Sequence, residues 1–168
     1  MTHLSRRALL LGFAATLAGC GGGRVDPDAP RLNFAQPGEG FAEPPLYPNE
    51  TPELRALINK YAAIYDLPPS LIHRLAIRES THRSWARNGP YWGLLQILPA
   101  TARSMGFRGK PSDLLDPETN LKYAGKYLRG AYLVAGGNPD GAIKWYARGY
   151  YYEAKRKGLL QETGLRPG

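Results

Sequence analysis

A helical pattern runs through Leu71-Ile72-His73-Arg74-Leu75-Ala76-Ile77-Arg78-Glu79-Ser80. Residues three and four apart lie on one face of an α-helix, so this spacing predicts a helix with a single apolar side. That side carries Leu71, Ile72, Leu75 and Ala76. Glu79 follows Leu75 by four residues and Ala76 by three, so its carboxylate continues the apolar side instead of facing solvent.

A carboxylate on an apolar face has two interpretations. Burial disfavours the charged form and raises the pKa, which suits a general acid that must hold its proton at neutral pH. Alternatively, the carboxylate is the buried ion-pair partner of an arginine, and Arg74, Arg78 and Arg83 are all close in sequence. The spacing leaves both interpretations open and makes Glu79 the first candidate catalytic residue.

The helical pattern continues on both sides of this segment. Helix starts are predicted where a capping residue precedes a proline and an acidic residue. This signature occurs at Thr51-Pro52-Glu53, Asp116-Pro117-Glu118 and Asn138-Pro139-Asp140. Further helices are predicted from Pro69, from Pro99 up to Gly106, and from Tyr151 to Lys157, whereas no stretch sustains the alternation of a strand. We therefore predict an all-α domain over residues 51–160, followed by a C-terminal tail over 161–168.

The first fifty residues differ in composition from the rest. Arg6 and Arg7 precede an apolar run over residues 8–17, which is long enough for an export signal and too short for a membrane-spanning helix. The run ends in Leu17-Ala18-Gly19-Cys20, which resembles the bacterial lipobox. We expect a signal peptide over residues 1–19, a lipid attached to Cys20, and a disordered Pro- and Gly-rich tether over 20–50. An ordinary signal peptide that contains a cysteine by chance is the alternative.

The charge distribution restricts the kinds of binding partner that we expect. The formal net charge is +8, and residues 51–168 contain 18 Lys and Arg against 9 Asp and Glu, whereas residues 20–50 contain 2 against 5. A basic domain on an acidic tether suits an anionic polymer or surface, although solubility explains it equally well. The export signal argues against nucleic acid. It predicts a protein anchored to the periplasmic face of a membrane, and Gly21 after the cysteine favours the outer membrane.

Three further motifs follow Glu79-Ser80 in order along the chain. They are Gly93-Leu94-Leu95-Gln96-Ile97-Leu98-Pro99-Ala100-Thr101-Ala102, Asp116-Pro117-Glu118-Thr119-Asn120 and Tyr123-Ala124-Gly125-Lys126-Tyr127-Leu128. Their order and spacing resemble the lytic transglycosylases of the SLT-domain family over roughly residues 54–149. The resemblance implies a lysozyme-like helical domain with a cleft that binds the glycan strands of peptidoglycan.

The resemblance also implies roles for individual residues. Glu79 would protonate the glycosidic oxygen between N-acetylmuramic acid and N-acetylglucosamine, then act as base on the muramyl 6-hydroxyl, leaving a 1,6-anhydro end. Because the nucleophile belongs to the same sugar, a second catalytic carboxylate is unnecessary. The residues expected to bind substrate are Ser80, Gly93, Leu94, Gln96 as a hydrogen-bond donor, and Tyr146 across the cleft from the glutamate. Asn120 and Tyr127 belong to the motifs, and Asn120 is expected to hold a helix start. The apolar Leu94 also fits a core position.

The closing motif departs from the family pattern. The family has A-Y-N-A-G, whereas this chain has Trp145-Tyr146-Ala147-Arg148-Gly149. A weakly active or non-catalytic peptidoglycan-binding lipoprotein is therefore the alternative function. No cofactor is expected, and the sequence identifies no protein partner. No metal site is expected either, because His3, His73 and His82 are scattered in sequence. His73 and His82 are predicted to be ordinary surface or partly buried histidines.

Overall fold

Helices dominate the part of the chain that the computed structural model describes, residues 44–165. The helices are α1 (Pro52–Ile64), α2 (Pro69–Glu79), α3 (Pro99–Ser104), α4 (Pro117–Val134), α5 (Pro139–Arg148) and α6 (Tyr151–Arg156). A 3-10 helix, Pro111–Leu115, precedes α4. The prediction of an all-α fold is confirmed. The predicted signal peptide, Cys20 and the predicted tether up to residue 43 lie outside the described residues. Within residues 44–165, no helix is both long enough and apolar enough to cross a membrane.

The predicted helix starts are confirmed at the level of single hydrogen bonds. The Thr51 hydroxyl accepts from the Leu54 amide at 3.2 Å, and the Asp116 carboxylate accepts from the Thr119 amide at 2.7 Å. The Asn138 side chain accepts from the Gly141 amide in the same way, at 2.8 Å. Each cap satisfies a backbone donor that has no partner within the helix, which is why these residue types begin helices.

The core is organised around α4, which packs against α1, α3 and α5. The apolar α4 residues that are fully buried are Leu121, Ala124, Leu128, Ala131 and Val134. The apolar side of α2 is buried as predicted, with Leu71, Ile72, Leu75 and Ala76 all at most 1% exposed. This packing fixes the direction in which α2 ends, and Glu79 is its last residue.

A hairpin lies between α2 and α3, where the sequence pattern predicts no strand. The strands β1 (Arg87–Asn88) and β2 (Tyr91–Trp92) pair antiparallel, with Arg87 opposite Trp92 and Asn88 opposite Tyr91. An isolated bridge joins Trp92 to Ile97. Strands of two residues are too short to show a period in the sequence, which is why the pattern does not reveal them.

The folded part extends beyond the predicted domain at both ends. Arg55 donates to the carbonyl oxygens of Pro44 and Pro45, and the Glu50 side chain is buried against Arg55. At the other end, the Thr163 hydroxyl is buried and donates to the Leu159 carbonyl at 2.7 Å. Residues 44–50 and 161–165 are therefore attached to the helical part by side-chain hydrogen bonds. Polar anchors hold both segments, and such anchors leave no periodic signal.

Candidate active site

The end of α2 opens into a cavity of about 450 Å³. Glu79 lines this cavity together with the hairpin residue Tyr91, Gln96 from the loop before α3, and Tyr146 from α5. Elements far apart in sequence thus meet around one carboxylate. A cleft of this volume, lined by aromatic and polar side chains, is typical of a site for a small molecule or one or two sugar rings.

Glu79 is partly shielded from water, with 23% of its side chain exposed. Burial raises the pKa of Glu79, and the positive charge of Arg78, whose Nε lies 3.4 Å from Oε1, opposes the shift without cancelling it. The predicted direction of the pKa shift is therefore confirmed. Among the described residues that line the cavity, Glu79 is the one carboxylate.

The alternative of a buried arginine ion pair is only partly realised. Arg74 pairs with Asp140 on α5 at 2.5 Å, and the Arg83 guanidinium donates to the Ser80 carbonyl at 2.9 Å. Arg78 is the arginine beside Glu79, and its side chain is 54% exposed. An exposed partner stabilises the carboxylate weakly, because water screens the interaction. Glu79 is therefore not locked into a buried ion pair.

Tyr146 and Tyr127 form an aromatic wall of the cavity. The Tyr146 hydroxyl donates to the Leu95 carbonyl at 2.8 Å, and its ring meets Tyr127 edge-on with centroids 5.3 Å apart. Burial raises the pKa of Tyr146 well above its ordinary value, and the negative charge of Glu79 adds to this shift. Tyr146 therefore lines the same cavity as Glu79, and its proton is already committed to the backbone.

Asn120 organises the loop that precedes α3. Its Oδ1 accepts from the Leu95 amide at 2.9 Å, and its Nδ2 donates to the carbonyls of Trp92 and Leu114, each at 2.9 Å. Asn120 is fully buried, so each of these bonds replaces one that water would make. Asn120 therefore has a structural position. It holds the loop over residues 92–95, whereas Asp116 caps the start of α4.

Three of the residues predicted to bind substrate are not among the residues that line the cavity. Leu94 is fully buried in the core, as its apolar character also indicated. The Ser80 hydroxyl is 2% exposed and lies 2.7 Å from the Leu94 carbonyl, to which it donates. Gly93 is buried, and a Cβ added there would meet the Leu114 carbonyl and the Asn120 amide. These three residues support the loop from within and are not among the residues that line the cavity, so direct substrate contact by them stays a prediction.

Gln96 does line the cavity, although its amide hydrogens are used within the protein. Nε2 donates to the Gly93 carbonyl at 2.7 Å and to the Ala86 carbonyl at 3.0 Å. Two carbonyls on the same side fix the orientation of the amide, because only its nitrogen can donate. Oε1 has no hydrogen-bond partner among residues 44–165. The amide hydrogens of Gln96 are therefore engaged within the protein, and its role as a donor to substrate stays a prediction.

The altered closing motif brings a cation to the cleft. Arg148 lines the cavity, and its guanidinium lies 3.8 Å from the centroid of the Trp145 ring. Stacking on an aromatic face orients a guanidinium while leaving its N–H groups available for other partners. Asn88 and Thr101 also line the cavity, and sequence reasoning missed both. Polar residues are common in hairpins and in first helical turns, so the sequence pattern does not identify Asn88 or Thr101.

The histidines contradict their prediction. His73 is 8% exposed and His82 is fully buried, and Nδ1 of the first lies 3.1 Å from Nε2 of the second. The reason is the backbone after α2, where Thr81 and His82 both take positive φ angles, 54° and 60°. This left-handed turn reverses the chain and brings His82 back against α2. His3 lies outside the described residues.

A small helical domain whose cleft holds one desolvated carboxylate belongs to the lysozyme-like class. The chain is a member of the transglycosylase SLT domain family, whose pattern matches residues 56–162. It is also similar to the crystal structure of the 70 kDa soluble lytic transglycosylase from Escherichia coli, with a TM-score of 0.53 and 27% sequence identity. That similarity covers 64% of this chain and 18% of the Escherichia coli protein.

Proposed function

We propose that this protein is a lytic transglycosylase that cleaves the β-1,4 bond between N-acetylmuramic acid and N-acetylglucosamine in peptidoglycan and leaves 1,6-anhydro ends during cell-wall remodelling. The observation that carries the proposal is Glu79, the one carboxylate on the described wall of the cavity, with a raised pKa. Membership of the SLT domain family supports the substrate class.

The proposed reaction uses one carboxyl group twice. Protonated Glu79 donates its proton to the glycosidic oxygen, the bond from that oxygen to the anomeric carbon breaks, and N-acetylglucosamine leaves with a free hydroxyl. The carboxylate then removes the proton of the muramyl 6-hydroxyl as O6 bonds to the anomeric carbon. Glu79 ends protonated, so the catalyst is regenerated and no water is consumed.

The single carboxylate favours this reaction over hydrolysis. Most glycosidases need a second carboxyl group, about 5–5.5 Å away as a nucleophile or about 6.5–9.5 Å away to activate water. No other Asp or Glu of residues 44–165 lines the cavity. An attacking hydroxyl within the same sugar has a high effective concentration and needs no such residue.

The product of digestion tests the proposal. Purified peptidoglycan is treated with the protein, and the fragments are separated and weighed by mass spectrometry. We expect muramyl ends lighter by one water than hydrolysed ends. Reducing muramyl ends would show a hydrolase instead. Intact glycan that still sediments with the protein would favour the non-catalytic binding lipoprotein, which the Arg148 substitution in the closing motif keeps as the second candidate.

The pH dependence of cleavage is expected to follow the pKa of Glu79. Activity should fall as the pH rises through this raised pKa, because the first step needs the protonated carboxyl group. Arg78 lowers the pKa of Glu79, so Arg78→Gln should move the alkaline limb of the kcat/KM profile to higher pH. Arg74→Gln, one turn earlier on α2 and paired with Asp140, is the matched control and should leave the limb in place. An unchanged limb in Arg78→Gln would contradict the role of Glu79 as the acid.

We propose further that the protein is exported and anchored to the periplasmic face of the outer membrane through a lipid on Cys20. The lipobox-like Leu17-Ala18-Gly19-Cys20 supports this. Cys20→Ser should move the protein from the membrane fraction to the soluble fraction on cell fractionation. Cys20→Ala is expected to do the same, and membrane retention of both variants would contradict a lipid anchor.

A further inference from the structure

A buried polar cluster includes residues of α2 and of the turn that follows it, and none of its members lines the cavity. Its members are Glu50 from the segment before α1, His73 on α2 and His82 from the turn after α2. One potential ligand atom from each of these buried side chains lies within 4.8 Å of the other two. Nδ1 of His73 is 3.1 Å from Nε2 of His82 and 3.7 Å from Oε1 of Glu50.

These distances suit ligands that share one metal ion. Zinc binds imidazole nitrogen and carboxylate oxygen at about 2.0–2.2 Å, so two ligand atoms on one ion lie within about 4.4 Å of each other. The two separations given above satisfy this limit, and the ligand atoms of His82 and Glu50 lie within 4.8 Å of each other. Two histidines and a carboxylate are also a ligand set that zinc takes in proteins.

The hydrogen bonds around the cluster leave these atoms available. Arg55 donates from Nε to Oε1 of Glu50 at 3.0 Å, and Oε2 accepts from Arg55 and from the Tyr47 amide. An ionised carboxylate oxygen has two lone-pair sites, so Oε1 retains one. Hydrogen-bonded carboxylates are common among metal ligands, because an outer partner orients the ligand.

The two imidazole rings face each other through one nitrogen each. A direct hydrogen bond requires that one facing nitrogen carries the proton and the other accepts it. The other nitrogen of the His82 ring, Nδ1, is buried and has no hydrogen-bond partner within residues 44–165. The ring of Tyr47 stacks on His82 with centroids 5.1 Å apart and shields the cluster from one side.

We propose that Glu50, His73 and His82 form a binding site for a divalent transition metal, with zinc as the ion that the ligand set favours. The described residues supply three ligands, and water would complete the coordination. Such an ion would link the segment before α1 to α2 itself and to the turn that follows α2. It would fix the left-handed turn that follows Glu79.

Metal titration of the full-length protein in detergent, freed of metal with a chelator, tests the site. We expect one equivalent of Zn²⁺ to bind by calorimetry and to raise the melting temperature. In long-range ¹H–¹⁵N spectra, zinc should shift Nδ1 of His73 and Nε2 of His82. Co²⁺ in place of Zn²⁺ should give d–d absorption. None of these readouts depends on glycan cleavage. A negative result would therefore contradict the metal site without contradicting the proposed function.

Isosteric variants assign the ligands. His73→Asn and His82→Gln each retain a polar atom near the lost nitrogen. Each should weaken zinc binding by at least about 100-fold, because losing a residue that only hydrogen-bonds to a metal ligand already weakens binding by up to about 100-fold. Glu153→Gln, an acidic residue outside the cluster that pairs with Arg156, should bind zinc normally. Circular dichroism checks that the variants fold. Absence of stoichiometric binding to the wild type, or unchanged affinity in folded His73→Asn, would overturn the proposal.

Discussion

Glu79→Gln is expected to reduce the formation of anhydro-muramyl ends by at least about a thousandfold, because acid–base catalysis by a positioned side chain contributes about 10²–10⁴-fold and this residue acts in both steps. Glutamine has nearly the same shape but cannot donate a proton to the glycosidic oxygen or accept one from the 6-hydroxyl. The measurement is the rate of anhydro product released from purified peptidoglycan, followed by mass spectrometry.

The controls separate loss of chemistry from loss of structure. Glu118→Gln removes an exposed carboxylate that pairs with Lys60, and it should retain wild-type activity. Glu79→Gln should keep its melting temperature and still sediment with intact glycan, because the cavity wall around it is unchanged. Anhydro product formed by the Gln variant at a rate within tenfold of the wild type would exclude Glu79 as the acid–base residue.

Gly93→Ala is expected to destabilise the fold by about 2–5 kcal/mol, combining the cost of overpacking with that of a left-handed backbone. Gly93 has a φ angle of 76°, and a Cβ there would lie 2.1 Å from the Leu114 carbonyl oxygen and 2.3 Å from Nδ2 of Asn120. These two groups are hydrogen-bonded to each other at 2.9 Å, so neither can move aside without breaking that bond. Unfolding in urea, followed by circular dichroism, measures the change.

Gly136→Ala is the matched control for this effect. Gly136 also has a positive φ angle, 63°, but a Cβ there would meet no atom within 4 Å. Its replacement should cost only the backbone contribution, about 1–2 kcal/mol. If the two variants lose the same stability, contact with Asn120 is not what requires glycine at position 93.

The interior positions of Ser80, Gly93 and Leu94 share one physical cause. All three belong to motifs around the cleft, and sequence order does not distinguish a residue that faces a cavity from one that supports its wall. The Ser80 hydroxyl is instead bonded to the Leu94 carbonyl, fourteen residues away. Gln96 has a positive φ angle of 47°, which turns its amide toward the carbonyls of Gly93 and Ala86. Such orientations depend on contacts that no local pattern contains.

The sequence by itself determined the helices, the burial of the apolar side of α2, and the position of Glu79 at its end. Those features depend on interactions within a few residues: Thr51, Asp116 and Asn138 cap their own helices, and the helical repeat places Glu79 on the apolar side. Only the tertiary structure decided which groups surround that carboxylate and that His73 and His82 face Glu50. Those contacts join residues from nine to more than fifty positions apart, and they depend on how α2, α4 and α5 pack together and on the left-handed turn at Thr81 and His82.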